Sequence, residues 1–204
     1  MTYFLGLTGG IATGKTTVAQ MMAQQGLPII DGDQIAHQVL ANNQRVQAQI
    51  RATFGEQLVQ NGQVDRAALG KLVFGNQAAL AQLNAITAPV IRETIMAEMA
   101  AAKAHQEPLV ILDLPLLYEQ HYETVCDGVM VVYLPVEKQL ARLMARNQLS
   151  REDALKRINS QASLTEKRDR ADFVIDNQGS LAQLEAQLKA VLAGVCHKSG
   201  CPED

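Results

Sequence analysis

The stretch Gly9-Gly10-Ile11-Ala12-Thr13-Gly14-Lys15-Thr16 directly follows the apolar run 4–7 and decides the class of this chain. It satisfies the phosphate-binding pattern G-x-x-x-x-G-K-[ST] at every specified position. Glycines in such a loop allow a tight turn in which successive backbone N–H groups point toward phosphate oxygens. The pattern requires a strand before the loop and a helix after it, and Val18, Met21 and Met22 recur at helical spacing. The sequence therefore predicts a nucleoside triphosphate site, in which Lys15 reaches the outer phosphates.

Composition and charge narrow the class of protein further. The chain has 204 residues, 48% of them apolar, with a formal net charge of −3 and a pI near 5.8. This length suits one sizeable core with inserted subdomains. The negative charge argues against a general nucleic-acid binder, and no apolar stretch approaches membrane-spanning length. Because the N-terminus leads into the phosphate loop and not into a cleavage site, we expect a cytoplasmic protein.

The three cysteines, Cys126, Cys196 and Cys201, show no metal-ligand spacing. Cys196, His197 and Cys201 fall in a polar C-terminal stretch. A disordered tail with free thiols is favoured there over a zinc site, because no fourth ligand lies nearby.

Five short β-rich runs alternate with helical patterns, which predicts an α/β fold with a parallel sheet covered by helices. Ligands of such sheets bind at the carboxyl ends of the strands, so polar residues at those ends are candidate site residues. The runs lie at 3–7, 28–31, 109–113, 129–134 and 173–176.

Residues 34–107 are rich in Ala and Gln and predict several helices. One begins at Gln34, one follows Asp65 as its cap, and a long one begins at Pro89. The segment is far longer than a strand-to-helix connection requires. We interpret it as a helical insertion that binds the acceptor, the molecule to which a phosphate group would be transferred.

A second insertion covers 136–170 and is predicted to be a lid. Residues 137–172 hold nine of the 18 Lys and Arg but six of the 21 acids, so this segment carries +3 and the remainder −6. Arg142 and Arg146 lie four residues apart on one helical face. In a phosphate-binding protein such a lid closes arginines over the phosphates and excludes water. A solvated pair of charged helices is the alternative.

Two capping boxes mark further helix starts, Ser150 with Asp153 and Ser180 with Gln183. The last helix is expected to cover the sheet with Leu181, Leu184, Leu188 and Leu192.

Three carboxylates lie at the ends of predicted strands. Asp31 and Asp33 flank Gly32, and a carboxylate at this place can hold an acceptor hydroxyl in line with a γ-phosphate. The alternative for Asp33 is to cap the helix that begins at Gln34. Asp113 ends the most apolar run, from which an acid can help to hold Mg²⁺ or contact the acceptor, and a structural role is its alternative.

Taken in order, these motifs resemble those of the dephospho-CoA kinase family over residues 4–180. The ordered set is far more specific than the phosphate loop alone, which a whole superfamily shares. The matching stretches are 6–16, 31–36, 62–66, 113–119, 142–146, 157–161 and 171–177.

The resemblance implies transfer of phosphate from ATP to the ribose 3′-hydroxyl of dephospho-CoA with Mg²⁺, giving CoA and ADP, the last step of coenzyme A biosynthesis. It implies a P-loop kinase three-layer sandwich with a five-stranded parallel sheet. The core would be 1–33 with 108–135 and 171–204, the helical acceptor domain 34–107, and the lid 136–170. ATP and dephospho-CoA would be the partners of a monomer or small homo-oligomer, without nucleic acid or membrane.

The same resemblance assigns roles by position. The catalytic groups would be Asp33, Lys15, Arg142 and Arg146. ATP would be bound by Gly10, Ile11, Ala12, Thr13, Gly14, Lys15, Thr16, Thr17, Arg142 and Asn177. The acceptor would be bound by Asp33, Arg66, Asp113, Leu116 and Tyr118, and Mg²⁺ by Thr16 and Asp113.

The sequence departs from the family at one position, and other classes of protein are alternatives to a dephospho-CoA kinase. Ala88 precedes Pro89 where many members have histidine, so one acceptor contact is missing, while His37 lies one helical turn after Asp33. Another P-loop small-molecule or nucleoside monophosphate kinase is the nearest alternative. A GTPase-type switch is disfavoured because the Asn-Lys-x-Asp guanine motif does not occur. The set of catalytic residues likewise disfavours an idle nucleotide-binding module.

Overall fold

A computed structural model of the chain describes residues 1–60, 62–73 and 75–199, with side chains up to Cys196 at the C-terminal end. The strands in chain order are β1 (Tyr3–Gly9), β2 (Ile29–Asp31), β3 (Val59–Gln60), β4 (Gln63–Val64), β5 (Leu109–Asp113), β6 (Gly128–Tyr133) and β7 (Phe173–Asp176). The helices are α1 (Lys15–Gln24), α2 (Gly32–Asn42), α3 (Gln44–Phe54), α4 (Arg66–Val73), α5 (Gln77–Ala104), α6 (Val136–Asn147), α7 (Arg151–Ile158), α8 (Leu164–Arg170) and α9 (Leu181–Ser199). Short 3-10 turns cover Glu56–Leu58 and Tyr122–Val125.

The five predicted strands form one sheet in the order β2-β5-β1-β6-β7, which confirms the α/β fold with a parallel sheet. The strands at the two edges have three and four residues, and the three between them have five to seven. Every residue of β5 is buried, as expected for a strand covered on both faces. In the register of the sheet, Leu7 lies opposite Asp113, so the strand that enters the phosphate loop lies beside the one that ends in this acid.

Two compact units divide the described residues, one of residues 1–30 with those from 102 on, the other of residues 31–101. In the first unit, apolar residues of β1, β5 and β6 pack with α1 and α9. Leu184, Leu188 and Leu192 on α9 are buried as predicted, but Leu181 is 58% exposed, because it is the first residue of the helix. Both capping boxes are confirmed by hydrogen bonds between their paired residues.

The second unit holds α2, α3, α4, most of α5 and the hairpin of β3 and β4, in which Val59 pairs with Val64. Its core consists of buried side chains from these elements, among them Ile35, Val46, Ile50, Leu69 and Ile95. The helix after Asp65 is confirmed, whereas the sequence reasoning missed α3 and the hairpin.

The prediction that Pro89 begins a helix is wrong, because α5 runs without a break from Gln77 to Ala104 with the proline inside it. A proline in a helix interior removes one backbone hydrogen bond and costs about 3 kcal/mol. Ala-rich sequence on both sides favours the helix, and the burial of Thr87, Ile95 and Met99 stabilises it further.

Candidate active site

The phosphate loop connects β1 to α1 through backbone conformations that most residues avoid. Gly14 caps α1 with a φ of 95°, and Ala12 also has a positive φ, 61°. A Cβ on Gly14 would collide with the side-chain amide of Asn177. Thr13 donates from its hydroxyl to the Gly10 carbonyl at 2.9 Å and so closes the turn. The loop therefore has the tight, glycine-dependent shape that the sequence predicts.

Lys15 and Asp113 come together at the carboxyl end of the sheet. Lys15 Nζ lies 2.5 Å from Asp113 Oδ1, and the two side chains are 14% and 7% exposed. The low exposure strengthens the attraction between the charges relative to a pair in water. The fold thus places the loop lysine beside the strand-end acid, while the metal and acceptor roles of Asp113 stay predictions.

Asn177 connects the phosphate loop to one of the two predicted lid arginines. Its side-chain amide donates to the Thr13 carbonyl at 2.7 Å, and its backbone carbonyl accepts from Arg142 Nη2 at 3.0 Å. The exposed Arg146 donates to its neighbour Asn147 at 2.9 Å. The structure therefore holds Arg142 at the loop, and it leaves the predicted phosphate contacts of Arg142 and Arg146 untested.

Two glutamines hold the loop from the segment predicted to be the lid. Gln161 Oε1 accepts the backbone N–H of Ile11 at 3.1 Å, so this amide is already paired within the protein. Gln139 is buried, donates to the Leu134 carbonyl at 2.9 Å, and lies where a Cβ on Gly10 would collide with it. Gln161 belongs to a stretch that matches the family motifs, but no signal in the sequence marks Gln139.

A buried lysine fixes the turn that follows Asp113. Lys167 is 1% exposed, and its Nζ lies 2.7 Å from Glu119 Oε1 and donates to the Pro115 carbonyl at 3.1 Å. The Pro115 carbonyl also accepts from the Thr8 hydroxyl, and the Glu119 carboxylate accepts the N–H of Ala162. This network of α8, the 115–119 turn and the end of β1 was missed, because Lys167 sits among other charged residues in the sequence.

The predicted acceptor residues Leu116 and Tyr118 differ in accessibility. Leu116 is 40% exposed and is therefore open to a ligand. Tyr118 is 5% exposed, its ring lies 4.1 Å from the Arg170 guanidinium, and burial raises the pKa of its hydroxyl to about 12. Among the described residues that hydroxyl has no hydrogen-bond partner.

In the second unit, the start of α2 distinguishes two neighbouring carboxylates. Asp31 Oδ1 accepts the N–H groups of Asp33 and Gln34 at 2.9 and 3.0 Å, so Asp31 caps the helix. The alternative that Asp33 is the cap is wrong, and its side chain is exposed. Arg66 Nη2 lies 2.6 Å from the Nε2 of His37 on α2.

The expectation of a disordered C-terminal tail is wrong at Cys196, which is half-buried within α9. Cys201 lies outside the described residues. Across 1–60, 62–73 and 75–199, His, Cys, Asp and Glu side chains form no group of three able to hold a metal ion. None of the helices in that part of the chain is both long and apolar enough to cross a bilayer.

Known proteins resemble this chain over nearly its full length. The dephospho-CoA kinase family model matches residues 3–183. A dephospho-CoA kinase from Latilactobacillus sakei subsp. sakei (strain 23K) is 90% identical over 200 residues, which are 98% of this chain and 99% of the relative. The crystal structure of TT1252 from Thermus thermophilus is 39% identical with a TM-score of 0.79, over 95% and 97% of the two chains. A dephospho-CoA kinase structure from Campylobacter jejuni is 32% identical with a TM-score of 0.74, over 96% and 98%.

Proposed function

The chain belongs to the dephospho-CoA kinase family, and we propose that it transfers the γ-phosphoryl group of ATP to the ribose 3′-hydroxyl of dephospho-CoA. It is an ATP-dependent kinase, and its products are CoA and ADP. The observation that carries the proposal is the pairing of Lys15, in a complete phosphate-binding loop, with Asp113 at the carboxyl end of a neighbouring parallel strand.

The loop and its neighbours stabilise the triphosphate. Backbone N–H groups at the start of α1 and the Lys15 ammonium bind the phosphates, and Arg142, held by the Asn177 carbonyl, adds a cation beside the loop. The transition state of phosphoryl transfer is loose, so positioning and charge stabilisation supply most of the acceleration.

Two oxygen donors suited to Mg²⁺ neighbour Lys15, one in sequence and one as its ion-pair partner. Thr16 presents its hydroxyl on the first turn of α1, and Asp113 presents a carboxylate at the end of β5. Mg²⁺ prefers such hard oxygen ligands, so this donor set fits the ion. When bound, Mg²⁺ would neutralise charge on the phosphate oxygens.

Asp33 is the carboxylate that we assign to the acceptor hydroxyl. Asp31 satisfies the first N–H groups of α2, which leaves the exposed Asp33 side chain without a capping role. A carboxylate at this position accepts the hydrogen bond of the 3′-hydroxyl and orients its oxygen for attack.

Replacement of Asp33 tests this role. We expect Asp33→Asn to lower kcat by at least about a hundredfold, because the amide cannot accept the proton, while ATP affinity stays within twofold. The matched control is Asp31→Asn, which keeps a good capping residue two positions away. The readouts are ADP release and ATP titration, and near-normal turnover of Asp33→Asn would remove this residue from catalysis.

Acceptor identity is tested separately by ADP release with dephospho-CoA, AMP, CMP or shikimate. The proposal expects dephospho-CoA to give the largest kcat/KM. Preference for another acceptor would instead support a different P-loop small-molecule kinase.

We also propose a cytoplasmic protein that is a monomer or small homo-oligomer. Size-exclusion chromatography with light scattering measures the oligomeric state directly.

A further inference from the structure

We propose that His37 is a positioning residue for the acceptor: its ring holds the Arg66 guanidinium ready to bind a phosphate group of dephospho-CoA. His37 would therefore set the affinity for the acceptor and leave the affinity for ATP unchanged. This inference rests on the proposed function and adds to it a residue that does not itself react.

The contact between the two side chains indicates which tautomer of the His37 imidazole is present. Arg66 Nη2 lies 2.6 Å from His37 Nε2. Arginine has donors and no acceptor, so Nε2 must carry the lone pair and the proton of the neutral ring sits on Nδ1. One such bond occupies a single donor of the guanidinium and leaves most of its N–H groups for a phosphate.

The position of Arg66 on its own helix cannot explain its presence. Arg66 is the first residue of α4, where the partial positive charge of the helix terminus disfavours a cation. Asp65 already caps this helix by accepting the N–H of Ala68 at 2.9 Å. Arg66 is exposed, so core packing does not require it either. A residue that opposes a local preference without a packing gain indicates a functional role.

His37 also shares a helical face with the candidate catalytic carboxylate. Asp33 and His37 are four residues apart on α2, so their side chains lie on one side of that helix. Both side chains are exposed, and within the described part of the chain the Asp33 carboxylate makes no ion pair. A guanidinium held by a histidine one helical turn from the hydroxyl-binding carboxylate suits an acceptor that carries both a hydroxyl and phosphates.

The test is steady-state kinetics, with dephospho-CoA and ATP varied in turn, on four variants and one control variant. His37→Leu removes the acceptor of the hydrogen bond, and His37→Gln restores one through its amide oxygen. Arg66→Ala removes the guanidinium, and the double variant His37→Leu/Arg66→Ala measures their coupling. Gln38→Leu, on an exposed neighbour in the same helix, is the matched control for the apolar substitution.

We expect His37→Leu to raise the KM for dephospho-CoA about tenfold, the effect of losing a hydrogen bond to a charged group. Its kcat and KM for ATP should stay within twofold, and His37→Gln should recover most of the affinity. In the Arg66→Ala background the His37 substitution should have no further effect.

Two results would overturn this role for His37: an unchanged KM in His37→Leu, or an undiminished effect of that substitution when Arg66 is absent. If the unsubstituted enzyme does not consume dephospho-CoA, the proposed function itself fails. Normal turnover by that enzyme therefore separates the two failures.

Discussion

At the residue scale, Asp31 and Asp33 show how two like side chains acquire different tasks. Asp31 accepts two backbone N–H groups at the start of α2, an interaction worth about 1 kcal/mol. Asp33 lies inside the first turn, where its negative charge interacts favourably with the helix N-terminus. The capping hydrogen bonds of that terminus go to Asp31 and not to the Asp33 carboxylate. The sequence and the family motif favour Asp33 for catalysis, but they do not show which residue is the cap, because both have the right chemistry for it.

Cys126 provides a prediction at this scale. Burial, followed by the charge of Asp127, raises the pKa of the Cys126 thiol to about 12. Only about one molecule in ten thousand then carries the thiolate at pH 8, so alkylation in the native protein should be slow. In a Cys196→Ser/Cys201→Ser background, iodoacetamide should label Cys126 at least a hundredfold faster in the unfolded than in the native protein. The rate in the native protein should keep rising with pH through pH 10. Native labelling as fast as that of the unfolded chain would contradict the burial of this thiol.

At the scale of elements, Lys167 connects α8 to the turn that follows β5. Burying a cation without a partner costs a large desolvation free energy. The Lys167 ammonium avoids this cost because it pairs with Glu119 and donates to the Pro115 carbonyl. Because this turn follows Asp113 directly, we expect α8 to help to fix the position of that acid.

Removal of Glu119 should show how much the buried Lys167–Glu119 pair contributes to stability. We expect Glu119→Ala to lower the free energy of unfolding by about 3 kcal/mol, because it leaves the Lys167 ammonium buried and unpaired. Chemical denaturation measures the change. Glu152→Ala is the matched control, because it breaks the exposed pair with Lys156 in the same segment and should leave the denaturation midpoint nearly unchanged. Equal effects of the two substitutions would show that burial of Lys167 adds nothing.

The helix α6 provides a second prediction for an element. Arg142 is held at the phosphate loop by the Asn177 carbonyl, whereas Arg146 donates a hydrogen bond to its neighbour Asn147. We therefore expect Arg142→Ala to raise the KM for ATP about tenfold, and Arg146→Ala to lower kcat with less effect on that KM. The control is Arg151→Ala, an exposed arginine that pairs with Glu137. A normal kcat in Arg146→Ala would favour the solvated helix pair over a lid.

At the scale of the whole molecule, ligand binding should raise the free energy of unfolding. A ligand present at a hundred times its Kd stabilises the native state by about 2.7 kcal/mol. We expect MgATP to raise Tm by several degrees and ATP with EDTA to raise it less. In Thr16→Val the difference between these two conditions should shrink, because the hydroxyl proposed to bind the metal is gone. An identical rise with and without Mg²⁺ in the unsubstituted protein would count against a metal at Thr16 and Asp113.

The predictable part of this molecule is the part with a local signal. The five strands of the parallel sheet, the phosphate loop and the capping boxes could be predicted, because apolar runs, glycines and Ser-x-x-Asp or Ser-x-x-Gln spacings act over a few residues. Lys167 and Gln139 could not, since their burial arises from segments that are distant in sequence. Pro89 misled the reasoning for a related reason, because burial elsewhere along α5 outweighs the local cost of a proline.

The unequal strand lengths bear on how this protein behaves at high concentration. A sheet edge is a template on which a second chain can add a strand, and long edges invite aggregation. Here the edge strands β2 and β7 offer three and four residues, and the longer strands are enclosed between them. In this five-stranded sheet, a second molecule can therefore add a strand only to the two shortest strands. We expect the longer, more apolar strands of the sheet to stay out of reach of neighbouring molecules in a crowded solution.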